Sequence, residues 1–317
     1  MNEMTQALLK GTIDILKTSD LHMSVGEIPK YRRGIELVPL PKWEQPIDEE
    51  MMEMIINDLT AGIPSTYKGD WDTAAVFNGR RLRLSVYRQM GHLSLAIRII
   101  TNSLKSLSEL GVPNAMQRIV DNERMGLILI CGATGSGKST TLSAAIDRIN
   151  ATRHTHIITI EDPVEYVHTS KLSTIHQREI GPDTESFSTA IRAAMRQDPD
   201  VIMVGEMRDM ETMEAAVTAA ETGHLVMATV HAMDVASAIN RIVGVFPANQ
   251  QPQIRLQLSG TLKLVMVQRL LPKKYAPEEK LLVPEILVMN PANVIMGSSR
   301  PVRTLSCEST HSVRSSE

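Results

Sequence analysis

Eight consecutive residues, Gly132-Ala133-Thr134-Gly135-Ser136-Gly137-Lys138-Ser139, are the clearest chemistry in this chain. They meet every fixed position of the phosphate-binding pattern G-x-x-x-x-G-K-[ST]. The pattern works through the backbone: glycines let successive N–H groups turn inward around a phosphate, and the N-terminus of a following helix adds partial positive charge. Lys138 is expected to reach the β- and γ-phosphates of a nucleoside triphosphate, and the Ser139 hydroxyl to take one position on a magnesium ion. Gly132, Thr134, Gly135, Ser136, Gly137 and Thr140 complete the expected nucleotide-binding set.

Three further segments carry charge suited to work beside such a loop. Ile160-Glu161-Asp162-Pro163-Val164-Glu165 gathers three carboxylates at the end of a predicted strand. Carboxylates there can hold a magnesium-bound water or orient an attacking water, and Glu165 is the candidate for both. Val201-Ile202-Met203-Val204-Gly205-Glu206 is an apolar run that delivers Glu206, the candidate for polarising water, with Arg208 just beyond it. Arg192 and Arg196 stand four apart on a predicted helix, where like charges repel; they call for an anionic partner, either Asp198, Asp200 and Asp209 or a phosphate. His224 and His231 bracket another apolar run, and His231, at its carboxyl end, is positioned to sense a γ-phosphate.

The elements that must position these groups are legible as patterns. The run Leu127–Ile130 precedes the loop, and Leu142, Ala145, Ile146 and Ile149 then repeat with helical period. Strands are predicted at Leu127–Ile130, His156–Ile160, Val201–Val204 and Leu225–Val230, with helices at Lys138–Asn150, Ser186–Gln197 and Met210–Thr222 between them. Such alternation implies a parallel sheet covered by helices, with functional loops at the carboxyl ends of the strands. Upstream, the sequence predicts a helix from Gln6 to Lys17, strands at Leu21–Val25 and Lys30–Val38, and a helix begun by Asp48. Strands are expected at Thr73–Phe77, Arg81–Tyr87 and Leu93–Ile100, the first pair joined by an Asn78-Gly79 hairpin turn. The domains follow: 1–102 as a small α+β unit, 103–120 as a linker, 121–296 as the phosphate-loop domain, and 297–317 as a polar, Ser-rich disordered tail.

Composition narrows the class. The 317 residues are 43% hydrophobic, enough for sizeable cores, and a net charge of −3 gives no global basic field for nucleic acid. Aromatics make up only 3%, so a base-stacking track is not evident. Two cysteines build neither a disulfide framework nor a four-cysteine zinc module. No apolar run approaches the ~20 residues of a membrane span, so a membrane role would run through partners.

Together the four segments resemble the secretion ATPase family that includes PilT and GspE. GATGSGKST looks like its Walker A box, TIEDPVE its Asp box, RQDPDVIMVGEMRD its Walker B box and TGHLVMATVH its His box, in the family's order. The stretch from Ser19 to Leu40 is similar to the family's PAS-like N-terminal domain. The resemblance implies a RecA-like ATPase core, ATP and Mg2+ as cofactors, and a homo-hexameric ring of two-domain subunits. It further implies service to an inner-membrane secretion, conjugation or pilus machine from the cytoplasmic side, without membrane insertion or nucleic acid. It casts Glu206, Glu165 and His231 as catalytic, and Glu161, His224, Arg192, Arg196 and Arg208 as nucleotide-side residues. Arg81, Arg83 and Arg98 match the arginines that enter the site from the N-terminal domain, with Arg83 and Arg98 taken as catalytic. The short N-terminal domain fits both PilT and the DotB/TraJ ATPases. Because Pro291–Gly297 stands where retraction ATPases carry AIRNLIR, the type IVB secretion or conjugation branch is expected over pilus retraction. A RecA-like nucleic-acid motor and a small-molecule kinase are the competing classes.

Overall fold

Alternating apolar residues build the first unit of the chain. The computed structural model describes residues 1–15, 18–33, 36–60, 62, 69–100, 104–273 and 276–289, and the chain divides into two units, Met1–Ser103 and Leu104–Glu317. The first unit begins with α1 (Glu3–Lys10), capped by the Asn2 side chain, and a π turn over Gly11–Ile15. This helical segment starts earlier than the predicted Gln6. There follow β1 (Asp20–Ser24), β2 (Lys30–Arg33), β3 (Glu36–Pro39), α2 (Glu49–Leu59), β4 (Trp71–Phe77), β5 (Arg80–Gln89) and β6 (His92–Ile99). The six strands form one antiparallel sheet in the order β3-β2-β1-β6-β5-β4.

Sequence logic explains most of this unit. Asp48 accepts from Met51 N and starts α2, a cap that satisfies a free helix donor. Asn78 and Gly79 both have positive φ, 48° and 73°, the geometry of the tight turn whose twist matches its flanking strands. Leu82, Leu84, Val86, Leu95 and Ile97 point inward with Met52, Ile55 and Ile56 of α2, while Arg83 and Arg98 occupy the alternate positions. The single strand expected over Lys30–Val38 is instead a hairpin, with Arg33 opposite Glu36.

The second unit contains α3 (Asn114–Asn122), β7 (Gly126–Cys131), α4 (Lys138–Thr152), β8 (His156–Glu161), β9 (Thr174–Glu179), α5 (Phe187–Ala194), β10 (Val201–Val204), α6 (Met210–Glu221) and β11 (Leu225–Val230). It continues through α7 (Val235–Gly244), α8 (Gln251–Thr261), β12 (Leu262–Lys273) and β13 (Ala276–Val288). Strand order is β13-β12-β7-β11-β10-β8-β9, parallel from β12 to β9, with β13 antiparallel at one edge. Every residue of β7, β10 and β11 is buried, as continuous apolar runs require when helices cover both faces. The fold class is α/β, a parallel core beside a smaller α+β unit. Leu107, Val112, Met116 and Val120, expected in a linker, share a core with Ile128, Ile130 and Leu142. The predicted tail, 297–317, lies outside the described residues.

One glycine tests the close approach of β7 to the start of β12. Gly126 has φ +110°, and a Cβ there would sit 2.5 Å from the Thr261 carbonyl oxygen. Gly126→Ala is therefore expected to destabilise the protein by about 2–4 kcal/mol, through a forbidden backbone conformation and overpacking. An unchanged midpoint in urea denaturation would disprove that approach.

Candidate phosphate-binding site

The loop after β7 is shaped by positions that only glycine fills. Gly132, Gly135 and Gly137 have φ of 148°, 76° and 85°. A Cβ on Gly132 would lie 2.5 Å from Ser136 Oγ and 2.6 Å from the Gln268 carbonyl oxygen. Gly137 caps α4 with no side chain, leaving the free N–H groups of the first turn available to an anion. Lys138 Nζ donates to the Gly132 and Ala133 carbonyls, at 3.1 and 3.0 Å. Burial lowers its pKa, opposed by Glu206, Cys131 and Glu165. Ser136 Oγ is buried without a hydrogen-bond partner. An ammonium curled onto its own loop and an orphaned hydroxyl are both satisfied by an anion seated in the loop, so the residues fit a phosphate. Ser139 lies in the first turn of α4, Thr134 is exposed on the loop, and Thr140 Oγ1 is 3.1 Å from the Tyr166 hydroxyl. Beside the loop, Cys131 is a core residue. Burial pushes its thiol up to about 12, which removes thiolate chemistry at neutral pH.

Two of the three carboxylates of the acidic turn, Glu161 and Glu165, divide their roles. Glu161 is 5% exposed. Its Oε1 accepts from Thr159 Oγ1 at 2.7 Å and Gln177 Nε2 at 3.2 Å, and Oε2 accepts from Glu165 N at 3.3 Å. Burial raises its pKa against those three donors. Glu161 thus organises the turn, which passes through a cis Asp162–Pro163 peptide. Glu165 is exposed, and its charge acts on Lys138.

Glu206 is held on the next strand over. Gly205 N donates to Ile160 O at 2.8 Å and Thr229 Oγ1 donates to Gly205 O at 2.5 Å, suspending the end of β10 between its neighbours. A Cβ at position 205 would meet Ile160 O at 3.2 Å, a tight approach. Glu206 Oε1 lies 2.6 Å from Arg208 Nε and 3.1 Å from His231 Nε2. That oxygen is buried, and its contact raises the pKa of Arg208. The cluster is a carboxylate ion-paired to Arg208 with His231 beside it.

His231 follows β11, beside Cys131 and the loop in the β7–β11 register. Its pKa is lowered from the ordinary 6.5, first by burial and then by Lys138, with Glu206 pulling the other way. The folded state therefore favours neutral imidazole. This contribution to stability is present above pH 6.5 and lost as pH falls through the depressed native value. We expect the His231 ring signal, followed by NMR, to titrate below 6.5, and lower again in Glu206→Gln. A midpoint that ignores that substitution would refute the contact.

Within the second unit, His224, Arg192 and Arg196 lie away from the loop. His224 precedes β11 and its Nδ1 pairs with Ala219 O at 2.9 Å. The length of β11, roughly 20 Å, separates it from the loop, because a motif spelled along one strand spans both its ends. Arg192 and Arg196 are exposed at the end of α5 that feeds the amino end of β10. Arg196 Nη1 donates to the Arg192 carbonyl at 3.1 Å. Their expected acidic partners are engaged elsewhere: Asp200 accepts from His156 N, and Asp209 caps α6. Arg83 and Arg98 belong to the first unit and face each other across β5 and β6. Arg98 Nε lies 2.7 Å from Asp20 Oδ1, and Arg83 Nη2 lies 3.8 Å from Asp72 Oδ2. One residue at the loop went unpredicted. Gln268 of β12, 1% exposed, donates from Nε2 to Ser136 O at 2.7 Å. Its one sequence signal is a glutamine directly after the apolar run Leu264–Val267.

A glycine loop between a buried parallel strand and a helix, with a charged cluster on the adjoining strand ends, defines a P-loop nucleotide-binding α/β protein. Residues 75–315 match the family described as Type II/IV secretion system protein. The chain belongs to that family and is an ATPase. It is 47% identical to the twitching motility protein of Neisseria gonorrhoeae over 291 residues, covering 88% of this chain and 76% of that protein. The crystal structure of the pilus retraction motor PilT with bound ADP superposes with a TM-score of 0.85 at 40% identity, covering 92% of this chain and 84% of that one. The Legionella pneumophila ATPase DotB superposes at 0.79 with 28% identity, covering 90% and 80% respectively. Among the described residues no helix is long and apolar enough to cross a membrane.

Proposed function

We propose that this protein is a hexameric, ATP-hydrolysing motor that powers a type IV pilus or a type IV secretion or conjugation machine from the cytoplasmic face of the membrane. The observation that carries the reading is the convergence of Lys138, Glu206 and His231 around one loop at adjacent strand ends. Lys138 holds the β- and γ-phosphates, exchanging the Gly132 and Ala133 carbonyls for phosphate oxygens. Glu206 orients the attacking water and takes up its proton, while Arg208 and His231 keep the carboxylate in place. A magnesium ion carried on the phosphates needs few protein ligands; Ser139 would supply one oxygen, and Glu165 would hold a bound water. It neutralises phosphate charge when bound. Arg83 and Arg98 add positive charge from the N-terminal unit in the assembled ring. A cavity of about 200 Å³ beside the loop, lined in part by Met233, Leu270 and Lys280, offers room for part of the nucleotide.

The test is steady-state ATP hydrolysis against protein concentration, with mass followed by light scattering. Specific activity that climbs as a hexamer forms supports a ring motor with shared sites. Full activity in a monomer, or transfer of phosphate to an acceptor other than water, overturns it. Pilus retraction is the particular task favoured by the 47% identity to a twitching motility protein. A strain lacking this protein would then keep its surface pili and lose their withdrawal; loss of export with pili unaffected would favour the secretion reading.

A further inference from the structure

We propose that Gln268 is a positioning residue for nucleotide binding, a strap from β12 that sets the direction of the phosphate loop's donors. The inference rests on the nucleotide reading above and adds a residue from outside the four sequence segments that define the site. Three observations meet at this side chain. Its Nε2 donates to Ser136 O at 2.7 Å, across 132 positions of sequence. The loop glycines leave space for it: an added Cβ at Gly137 would sit 3.2 Å from Gln268 Nε2, and at Gly132 2.6 Å from the Gln268 carbonyl. Two polar atoms at the contact, Gln268 Oε1 and Ser136 Oγ, are buried without partners.

The peptide bond turns that grip into aim. A trans peptide is planar, so its C=O and N–H point in opposite directions. Holding the Ser136 carbonyl toward β12 therefore turns the Gly137 N–H away from β12. Glycines at 132, 135 and 137 otherwise leave this segment many conformations to lose when a phosphate orders it. A strap that fixes the Ser136–Gly137 plane in advance removes part of that loss, which is how preorganisation raises affinity. The Ser136 hydroxyl at the same contact is a buried donor that a phosphate oxygen can accept from. A residue serving only the β12 core would carry no amide here, because burying one costs free energy unless both ends are bonded.

The experiment measures binding of ADP, with magnesium present, to the full chain and to Gln268→Met and Gln268→Glu. Methionine keeps the length without a donor, and glutamate keeps the shape while presenting an acceptor to the Ser136 carbonyl. Melting temperature is recorded with and without ADP. We expect both variants to bind about tenfold or more weakly, about 1.4 kcal/mol, with a correspondingly smaller ADP-induced rise in Tm. Wild-type affinity in either folded variant overturns the proposal. So does a lowered Tm without ADP accompanied by an undiminished ADP-induced rise, since that is a structural role alone. If methionine prevents folding, the glutamate variant carries the same readout. Failure of the wild-type chain to bind ADP is a separate result, and it removes the nucleotide reading itself.

Discussion

Lys138→Ala is expected to lower affinity for ATP and ADP by about 100-fold or more and to abolish turnover, while leaving the fold intact. The affinity loss follows from removing charge-assisted bonds to two phosphates, each worth roughly 1.5–3 kcal/mol, where 1.4 kcal/mol is tenfold. The intact fold follows from the ammonium's own surroundings. Its pKa is lowered chiefly by burial, so the surroundings oppose the charge they enclose. Its two partners are carbonyls of its own loop, and Ala133 is exposed and can turn to water. Alanine is also the best helix former at the first position of α4. Nucleotide titration by calorimetry, paired with urea denaturation, separates the two effects. Retained affinity would remove Lys138 from phosphate binding, and a collapsed denaturation midpoint would make it a folding residue.

The same contrast between local and distant signals explains what the sequence made legible. The phosphate loop, β7, α4 and the Asp48 and Asn78-Gly79 signals are written in contiguous residues, because caps, turns and strand–loop–helix units depend on near neighbours. Gln268 was invisible for the opposite reason. Its partner lies across a parallel pairing of β12 with β7, and no short-range pattern reports which strand will lie beside which. The hairpin of β12 and β13 was missed as well: charged residues and prolines interrupt both strands, so neither shows a clean strand or helix period. His224 illustrates a different limit. A motif names residues along a strand, but each end of the strand faces its own chemistry, and only His231 stands at the carboxyl end beside the loop. Arg192 and Arg196 were drawn toward a phosphate by their spacing, yet the helix carrying them ends at the amino edge of the sheet.

Glu206→Gln should separate binding from chemistry, with turnover reduced by about 10²–10⁴-fold, the usual contribution of a positioned base. The amide keeps the length and planarity of the side chain, so Arg208 and His231 can stay where they are. What changes is charge. Glu206 is the strongest electrostatic support for a protonated Lys138 and also supports protonation of His231; without it the pKa values of both move further down. Removing a negative charge from the neighbourhood of phosphates also relieves repulsion, so ADP affinity is expected to hold or improve. The variant should then assemble with ATP bound and fail to hydrolyse it. Glu165→Gln is the comparison that gives the result meaning. Glu165 is exposed and acts on Lys138 less strongly than Glu206 does, so its loss should cost less if Glu206 orients the water. Single-turnover hydrolysis in the two variants decides between them. A Glu206→Gln enzyme with ordinary turnover beside an inactive Glu165→Gln enzyme would transfer the role to the acidic turn, leaving Glu206 as the anchor that keeps Arg208 and His231 at the strand ends.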